Sequence, residues 1–107
     1  MKSTVEKVHD YVLAFPGNSI SLRETAERFH YNASYFNRAF KAECGEEFNE
    51  YVKRMKIEYA MELAVTSDLK VRELAAAVGF NDVRYFTKLF TSIAGDSPLE
   101  YRRNHSL

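Results

Sequence analysis

Apolar residues along the chain fall at helical spacing. Val5, Val8, Tyr11 and Val12 predict an opening helix over about residues 4–15. Pro16-Gly17-Asn18 ends it, because proline cannot continue the hydrogen-bond ladder and Gly-Asn suits a turn. Ser21-Leu22-Arg23-Glu24 reads as a capping box, with the serine hydroxyl serving the free N–H at the third position and Glu24 reaching back. The helix it starts runs to about Phe29. His30-Tyr31-Asn32 then forms a tight turn, and Asn32 is a good N-cap for a helix over about 33–43 that Cys44-Gly45 closes. From Phe48 to about Thr66, apolar residues at 48, 51, 52, 55, 59, 60 and 63 predict a long amphipathic helix. At 1.5 Å rise per residue it is about 28 Å long. Thr66-Ser67-Asp68 breaks it. The next helix has Lys70 in the N-cap place, keeping Glu73 but losing the capping hydroxyl. Its turn, Gly79-Phe80-Asn81-Asp82, leads to a helix over about 83–93. Ser97-Pro98-Leu99-Glu100 restarts the chain with proline at the first helical position and another capping box. No alternating run with hairpin signals competes, so the fold class is all-α with seven helices.

The same pattern occurs twice. Leu22-Arg23-Glu24-Thr25-Ala26, Phe29-His30-Tyr31-Asn32, Tyr35-Phe36-Asn37-Arg38-Ala39-Phe40, Gly45 and Glu50-Tyr51 make the first copy. Val71-Arg72-Glu73-Leu74-Ala75, Val78-Gly79-Phe80-Asn81, Tyr85-Phe86-Thr87-Lys88-Leu89-Phe90, Gly95 and Glu100-Tyr101 make the second. The offset is 49 residues before the turn and 50 after it, so the second turn carries one extra residue. Each copy reads as a helix-turn-helix. The organisation expected is a first lobe over about 4–47, a linker helix over about 48–66 and a second lobe over about 67–104.

Composition narrows the class without changing it. A chain of 107 residues, 46% hydrophobic and 14% aromatic, can close a packed core and is not disordered. No apolar stretch approaches the roughly 18 residues needed to span a bilayer, and the N-terminus lacks a signal-peptide core, so a cytoplasmic protein is expected. Fifteen basic and fifteen acidic residues give net zero charge, whereas DNA binders usually carry a basic excess. The charges segregate, however. Asn32 to Lys41 holds Arg38 and Lys41 without an acid, and Val83 to Gly95 holds Arg84 and Lys88 without an acid, while Glu46, Glu47, Glu50, Glu58 and Glu62 gather elsewhere. This balance implies modest affinity and a shallow salt dependence.

On a helical wheel, Phe86, Leu89, Phe90 and Ile93 share one face of the later helix, and Arg84, Thr87, Lys88 and Thr91 the opposite one. Fifty residues earlier Phe36, Ala39 and Phe40 face inward, and Ser34, Asn37, Arg38 and Lys41 outward. Arginine can donate bidentately to guanine, asparagine can pair with adenine, and serine or threonine can contact base or phosphate. Val83 could meet a thymine methyl group. One such amphipathic helix alone is ordinary; its repetition with turn and glycine intact points to a reader of double-stranded DNA with a bipartite site. Half-sites on one face of B-DNA lie about 34 Å apart, a span for which the linker helix and its turns are the expected spacer.

Val71-Arg72-Glu73-Leu74-Ala75-Ala76-Ala77-Val78-Gly79-Phe80, followed by Tyr85-Phe86, Phe90, Gly95, Ser97-Pro98 and Glu100-Tyr101-Arg102, resembles the signature of the AraC/XylS family of bacterial transcription regulators. The likeness extends from about Val5 to Arg103. It implies two homeodomain-like helix-turn-helix lobes, joined by the long central helix, in successive major grooves, and activation of transcription through contact with RNA polymerase. It also implies a separate N-terminal sensor or receiver domain, the opening helix and the Tyr-Phe start of the second unit looking most like versions attached to response-regulator receivers; a compact stand-alone member controlled by its abundance is the alternative. Carried onto matching positions, the base-reading residues are Ser34, Asn37 and Arg38, then Val83, Arg84, Thr87 and Lys88. Asn32, Lys41, Asn81 and Thr91 are candidates for the DNA backbone, with capping or solvation the competing role. Tyr35 and Tyr85 fit either core packing, the preferred role, or a hydroxyl-to-phosphate bond.

Other chemistry is thinly represented. Cys44 matches Ala94 of the second copy and reads as a small packed residue, and His30 matches Gly79, a turn position. No Cys/His cluster has metal spacing, and no phosphate-cradling loop or nucleophile elbow occurs, so no catalytic residue, metal or cofactor is expected. The alternative reading is a helical protein-interaction module docking RNA polymerase or another regulator with weak DNA affinity. Because the second reading helix carries a valine and a lysine in place of a richer polar set, the first lobe is expected to discriminate sequence more. An alanine scan scored on base preference checks this: Asn37 and Arg38 should outweigh Arg84 and Lys88, and the reverse order overturns it.

Overall fold

The computed structural model describes residues 3–106. It contains α1 (Thr4–Ala14), α2 (Leu22–Arg28), α3 (Ala33–Cys44), α4 (Phe48–Thr66), α5 (Val71–Ala77), α6 (Val83–Ala94) and α7 (Pro98–His105), and among the described residues no strand. The chain divides into two compact units. One runs to Phe15 and resumes from Ser19 to Met55; the other comprises Pro16–Asn18 and the described residues from Lys56 onward.

The first unit closes on Val8, Val12, Ala26, Phe36, Phe40, Phe48, Tyr51, Val52 and Met55. Phe48 meets Phe36 and Phe40 edge-on, with ring centroids 5.8 and 5.5 Å apart, and Tyr51 meets Phe40 edge-on at 5.1 Å. Such T-shaped pairs set the positive edge of one ring against the negative face of another, and so fix orientation as well as burial. The second unit closes on Ile57, Ala60, Ala64, Leu74, Ala75, Val78, Phe86 and Phe90. There Tyr101 meets Phe90 edge-on at 5.7 Å, repeating the Tyr51–Phe40 pair fifty residues on. Pro98 is buried at the place of Phe48. The guanidinium of Arg102 donates to the carbonyl of Ala64, one of the acceptors that the last turn of α4 leaves over, and to that of Leu69 in the link to α5.

Helix ends follow local chemistry with some redistribution. Ser21 Oγ accepts from the Glu24 N–H at 3.1 Å, the forward half of a capping box. At the matching place in the second unit only the reverse half is possible, because a lysine side chain has no acceptor, and the Lys70 N–H donates to Glu73 Oε1 at 2.8 Å. Ser97 Oγ accepts from the Glu100 N–H and donates to the Glu100 carboxylate. Gly45 and Gly95 end α3 and α6 in the left-handed conformation.

The turns before α3 and α6 also need a left-handed residue. His30 supplies it in the first unit at φ 63° and Gly79 in the second at φ 83°. The following N–H, of Tyr31 or Phe80, reaches back to Ala26 or Ala75 at 2.8 and 2.9 Å. Only the second turn is tightly enclosed. A Cβ on Gly79 would stand 2.8 Å from Lys56 Nζ and 2.9 Å from the Gly17 carbonyl oxygen. Lys56 is buried, donates to the Asn18 carbonyl, and has its pKa lowered by burial.

Gly79→Ala therefore combines left-handed strain with overpacking against a backbone oxygen, and should cost about 2–5 kcal/mol of stability. Gly95→Ala shares the strain but has open space, and should cost about 1–2 kcal/mol. Urea unfolding of the two variants checks the difference; equal costs would show that crowding at Gly79 is relieved elsewhere.

Candidate nucleic-acid interface

Each unit holds one amphipathic helix by its apolar face and leaves the other face in water. In α3, Phe36 and Phe40 are fully buried and Ala39 is half-buried, while Ser34, Arg38 and Lys41 are exposed and Asn37 half-exposed. In α6, Phe86 and Phe90 are fully buried and Leu89 half-buried, while Val83, Arg84, Lys88 and Thr91 are exposed and Thr87 half-exposed. Within each unit the sequence-derived candidates thus lie along one accessible stripe. Ile93, expected inward, is 36% exposed: it lies in the last turn of α6, past the rings that cover Phe86 and Phe90.

Four expectations need adjustment. Tyr35 and Tyr85 are not core residues but stand 54% and 42% exposed. Each precedes a buried phenylalanine by one position, about 100° round the helix, and rests its ring against the turn. Tyr35 stacks on Tyr31 and Tyr85 leans on Phe80, both at 6.0 Å. The core-packing role is therefore not the one they take.

Asn32 and Asn81 are not equivalent. Asn32 caps α3, its Oδ1 accepting from the N–H groups of Ser34 and Tyr35 at 3.0 and 3.3 Å. The cap of α6 is Asp82, whose Oδ1 accepts from Arg84 and Tyr85 at 3.0 and 3.2 Å. Asn81 is the additional residue of the longer turn, exposed and outside the cap. The change of offset from 49 to 50 contained this information, since Asn32 plus fifty is Asp82.

Lys41 is engaged: its ammonium lies 2.8 Å from Glu47 Oε1, and that hydrogen bond and charge raise its pKa. Thr91 Oγ1 donates to the Thr87 carbonyl and keeps only acceptor capacity for a partner. Nearby, Arg54 binds the Glu46 carboxylate through Nη2 at 2.6 Å and Nε at 3.2 Å. Cys44 is half-buried, its sulfur accepting from the Glu46 N–H at 3.4 Å. Among the described residues, no group of three or more His, Cys, Asp or Glu could hold a metal, and no helix is long and apolar enough to cross a membrane.

Two helix-turn-helix units presenting polar stripes match a known pattern: residues 25–104 fit the model of a helix-turn-helix domain family. The chain belongs to the AraC/XylS family and is its DNA-binding domain. It is 34% identical over 100 residues to the HTH-type transcriptional regulator YijO of Escherichia coli K12, matching 94% of this chain and 35% of that protein. The C-terminal domain of AraT, a response regulator from Geobacillus stearothermophilus, superposes with a TM-score of 0.88 at 27% identity, over 99% of this chain and 88% of that one. The DNA-binding domain of AdpA, solved with a target DNA, gives a TM-score of 0.87 over 97% and 94% of the two chains; at 23% identity that likeness concerns the fold. AraC-type domains of this kind are DNA-binding regulators and not enzymes. The chain spans about a third or less of the curated relatives it matches.

The Lys41–Glu47 pair carries a consequence for DNA binding. A lysine already neutralised by a carboxylate displaces fewer counterions, so Lys41→Ala should reduce the slope of log K against log salt by clearly less than about 0.9, the value for a full phosphate contact. Glu47→Gln should strengthen binding at low salt. Salt titrations of both variants by fluorescence anisotropy check this, and a full unit of slope lost on Lys41→Ala contradicts it.

Proposed function

We propose that this AraC-type domain reads a bipartite, asymmetric DNA site, with α3 and α6 in two successive major grooves. The observation that carries the reading is the repetition of one presentation device: two buried phenylalanines, a capped first turn, and an outward polar stripe on each helix. Ser34, Asn37 and Arg38 read bases from the first unit, and Val83, Arg84, Thr87 and Lys88 from the second. Lys41, Thr91, Asn32 and Asn81 lie toward the backbone, joined by the Tyr35 and Tyr85 hydroxyls. Because one chain supplies two reading helices, a monomer can fill the site and no palindrome is required.

The wider setting is part of the same proposal. The matched segment makes up between about a tenth and about a third of the relatives' length, and AraT is a response regulator. The domain is accordingly the output module of a larger cytoplasmic regulator with an N-terminal sensor or receiver domain. It acts as an activator beside RNA polymerase.

Selection of bound duplexes from a random pool at low salt tests the reading. Two enriched blocks with centres about one helical turn apart are expected. One block alone means that a single unit reads; no enrichment by folded protein favours the protein-interaction alternative, which the net neutrality of the chain supports. On the selected site, Arg38→Ala should lose about 1–3 kcal/mol and relax preference at one base position. Equal loss on every sequence makes Arg38 a phosphate contact.

A further inference from the structure

Lys56 is the one charged side chain buried among the described residues. No carboxylate accompanies it: among the described residues no ion pair engages it, and burial alone moves its pKa, downward. A charge kept out of water in this way adds little to stability, and an apolar side chain of the same shape often serves a fold as well or better. What the ammonium holds is chain from far away in sequence. Nζ donates to the carbonyl of Asn18, and a Cβ on Gly79 would stand 2.8 Å from the same nitrogen. The Gly17 carbonyl oxygen closes over that position at 2.9 Å. Gly17 itself lies against the end of α5, where a Cβ on it would be 3.4 Å from the Ala77 carbonyl oxygen. Residues 16–18, Lys56 and the turn at Gly79 all belong to the second unit.

The internal repeat marks this arrangement as particular to that unit. At the offset of 49, Lys56 matches Lys7, and the fully buried Ile57 beside it matches the fully buried Val8. In the first unit Lys7 is half-buried and stands 6.0 Å above the ring of Tyr31, in the turn that precedes α3. Both lysines reach the turn of their own unit, and only Lys56 is buried there beneath a loop. The same offset pairs Arg28, in the last turn of α2, with Ala77, and α5 has no basic residue in its last turn. Lys56 thus brings to the end of α5, whose last carbonyls carry partial negative charge, a cation that α2 supplies from within itself.

We propose, on the basis of the DNA reading above, that Lys56 is a positioning residue for base reading by α6, acting through the turn. This turn is one residue longer than its counterpart, and added length is added conformational freedom. The ammonium removes that freedom by pinning residues 16–18 over Gly79. Val83 and Arg84 follow within five residues of Gly79, so a displacement of the turn passes directly to them. Contacts at base edges tolerate displacements of only about 0.5 Å. The buried charge therefore serves the placement of α6 more than the stability of the fold.

Lys56→Met, which keeps the length and the apolar stem and removes the charge and the donor, tests this. Dissociation constants are measured on duplexes carrying each base at every position of the selected site, the two halves being assigned by the positions that Arg38→Ala and Arg84→Ala relax. Lys56→Met should melt close to the parent chain, because Asn18 is exposed and its carbonyl can turn to water. It should lose base discrimination in the α6 half by roughly fivefold or more and keep that of the α3 half. Lys7→Met, the matching change in the first unit, should leave both halves unaltered. If Lys56→Met does not fold, Lys56→Gln, uncharged and a bond shorter, is measured on the same panel with the same expectation. Unaltered reading of both halves, at whatever melting temperature, overturns the inference and leaves Lys56 a structural residue only. An equal loss in both halves overturns it too, as does a parent without base preference in the α6 half. A parent chain that binds every duplex alike overturns the DNA-reading proposal itself, and this inference with it.

Discussion

Everything the domain presents outward depends on two pairs of phenylalanines that face inward. Phe36 and Phe40 hold α3, Phe86 and Phe90 hold α6, and all four are fully buried. A ring of this size contributes about 1.5–3 kcal/mol when taken out of water, so the pair on each helix outweighs the small propensity differences of the polar residues around it. Spaced i, i+4, the rings fix the helix rotationally as well as axially, and Ser34, Arg38, Arg84 and Lys88 have a defined direction only for that reason. The edge-on tyrosines behind them, Tyr51 on Phe40 and Tyr101 on Phe90, remove the remaining freedom of the rings.

The turns show how one geometry is reached from two sequences. A left-handed residue is needed where α2 and α5 end, so that the next N–H can return to the helix it has left. The first unit meets the requirement with a histidine, which tolerates this region better than most side chains, and leaves it exposed. In the second unit the Gly17 carbonyl and the Lys56 ammonium close over the position, and no side chain fits. The extra residue that follows moves Asn81 out of the cap and puts Asp82 into it. A one-residue change in loop length thereby changes which residue caps the following helix, Asn32 in the first unit and Asp82 in the second.

The polar stripes carry little bulk positive charge. Of the four basic residues on them, Lys41 is already paired with Glu47. Arg54, on α4, is likewise tied to Glu46. In the proposed reading, discrimination then rests on hydrogen-bond geometry at base edges more than on attraction to phosphate, which accords with a chain of zero net charge.

Local signals in the sequence determined the elements. Helix starts at Ser21, Asn32 and Ser97, stops at Gly45 and Gly95, and apolar spacing within α3, α4 and α6 are properties of contiguous residues, and each was legible because backbone hydrogen bonding in helices is itself local. The internal repeat exposed the outward stripes by the same means, since a periodicity of 3.6 separates the two faces of a helix without reference to anything else. The exposure of Tyr35 and Tyr85, the capture of Lys41 by Glu47, the anchoring of Arg102 on the carbonyls of Ala64 and Leu69, and the crowding at Gly79 belong to tertiary structure alone. Each depends on which atoms from distant segments, or from the far side of a turn, come to lie within a few ångströms, and periodicity along the chain holds no record of that.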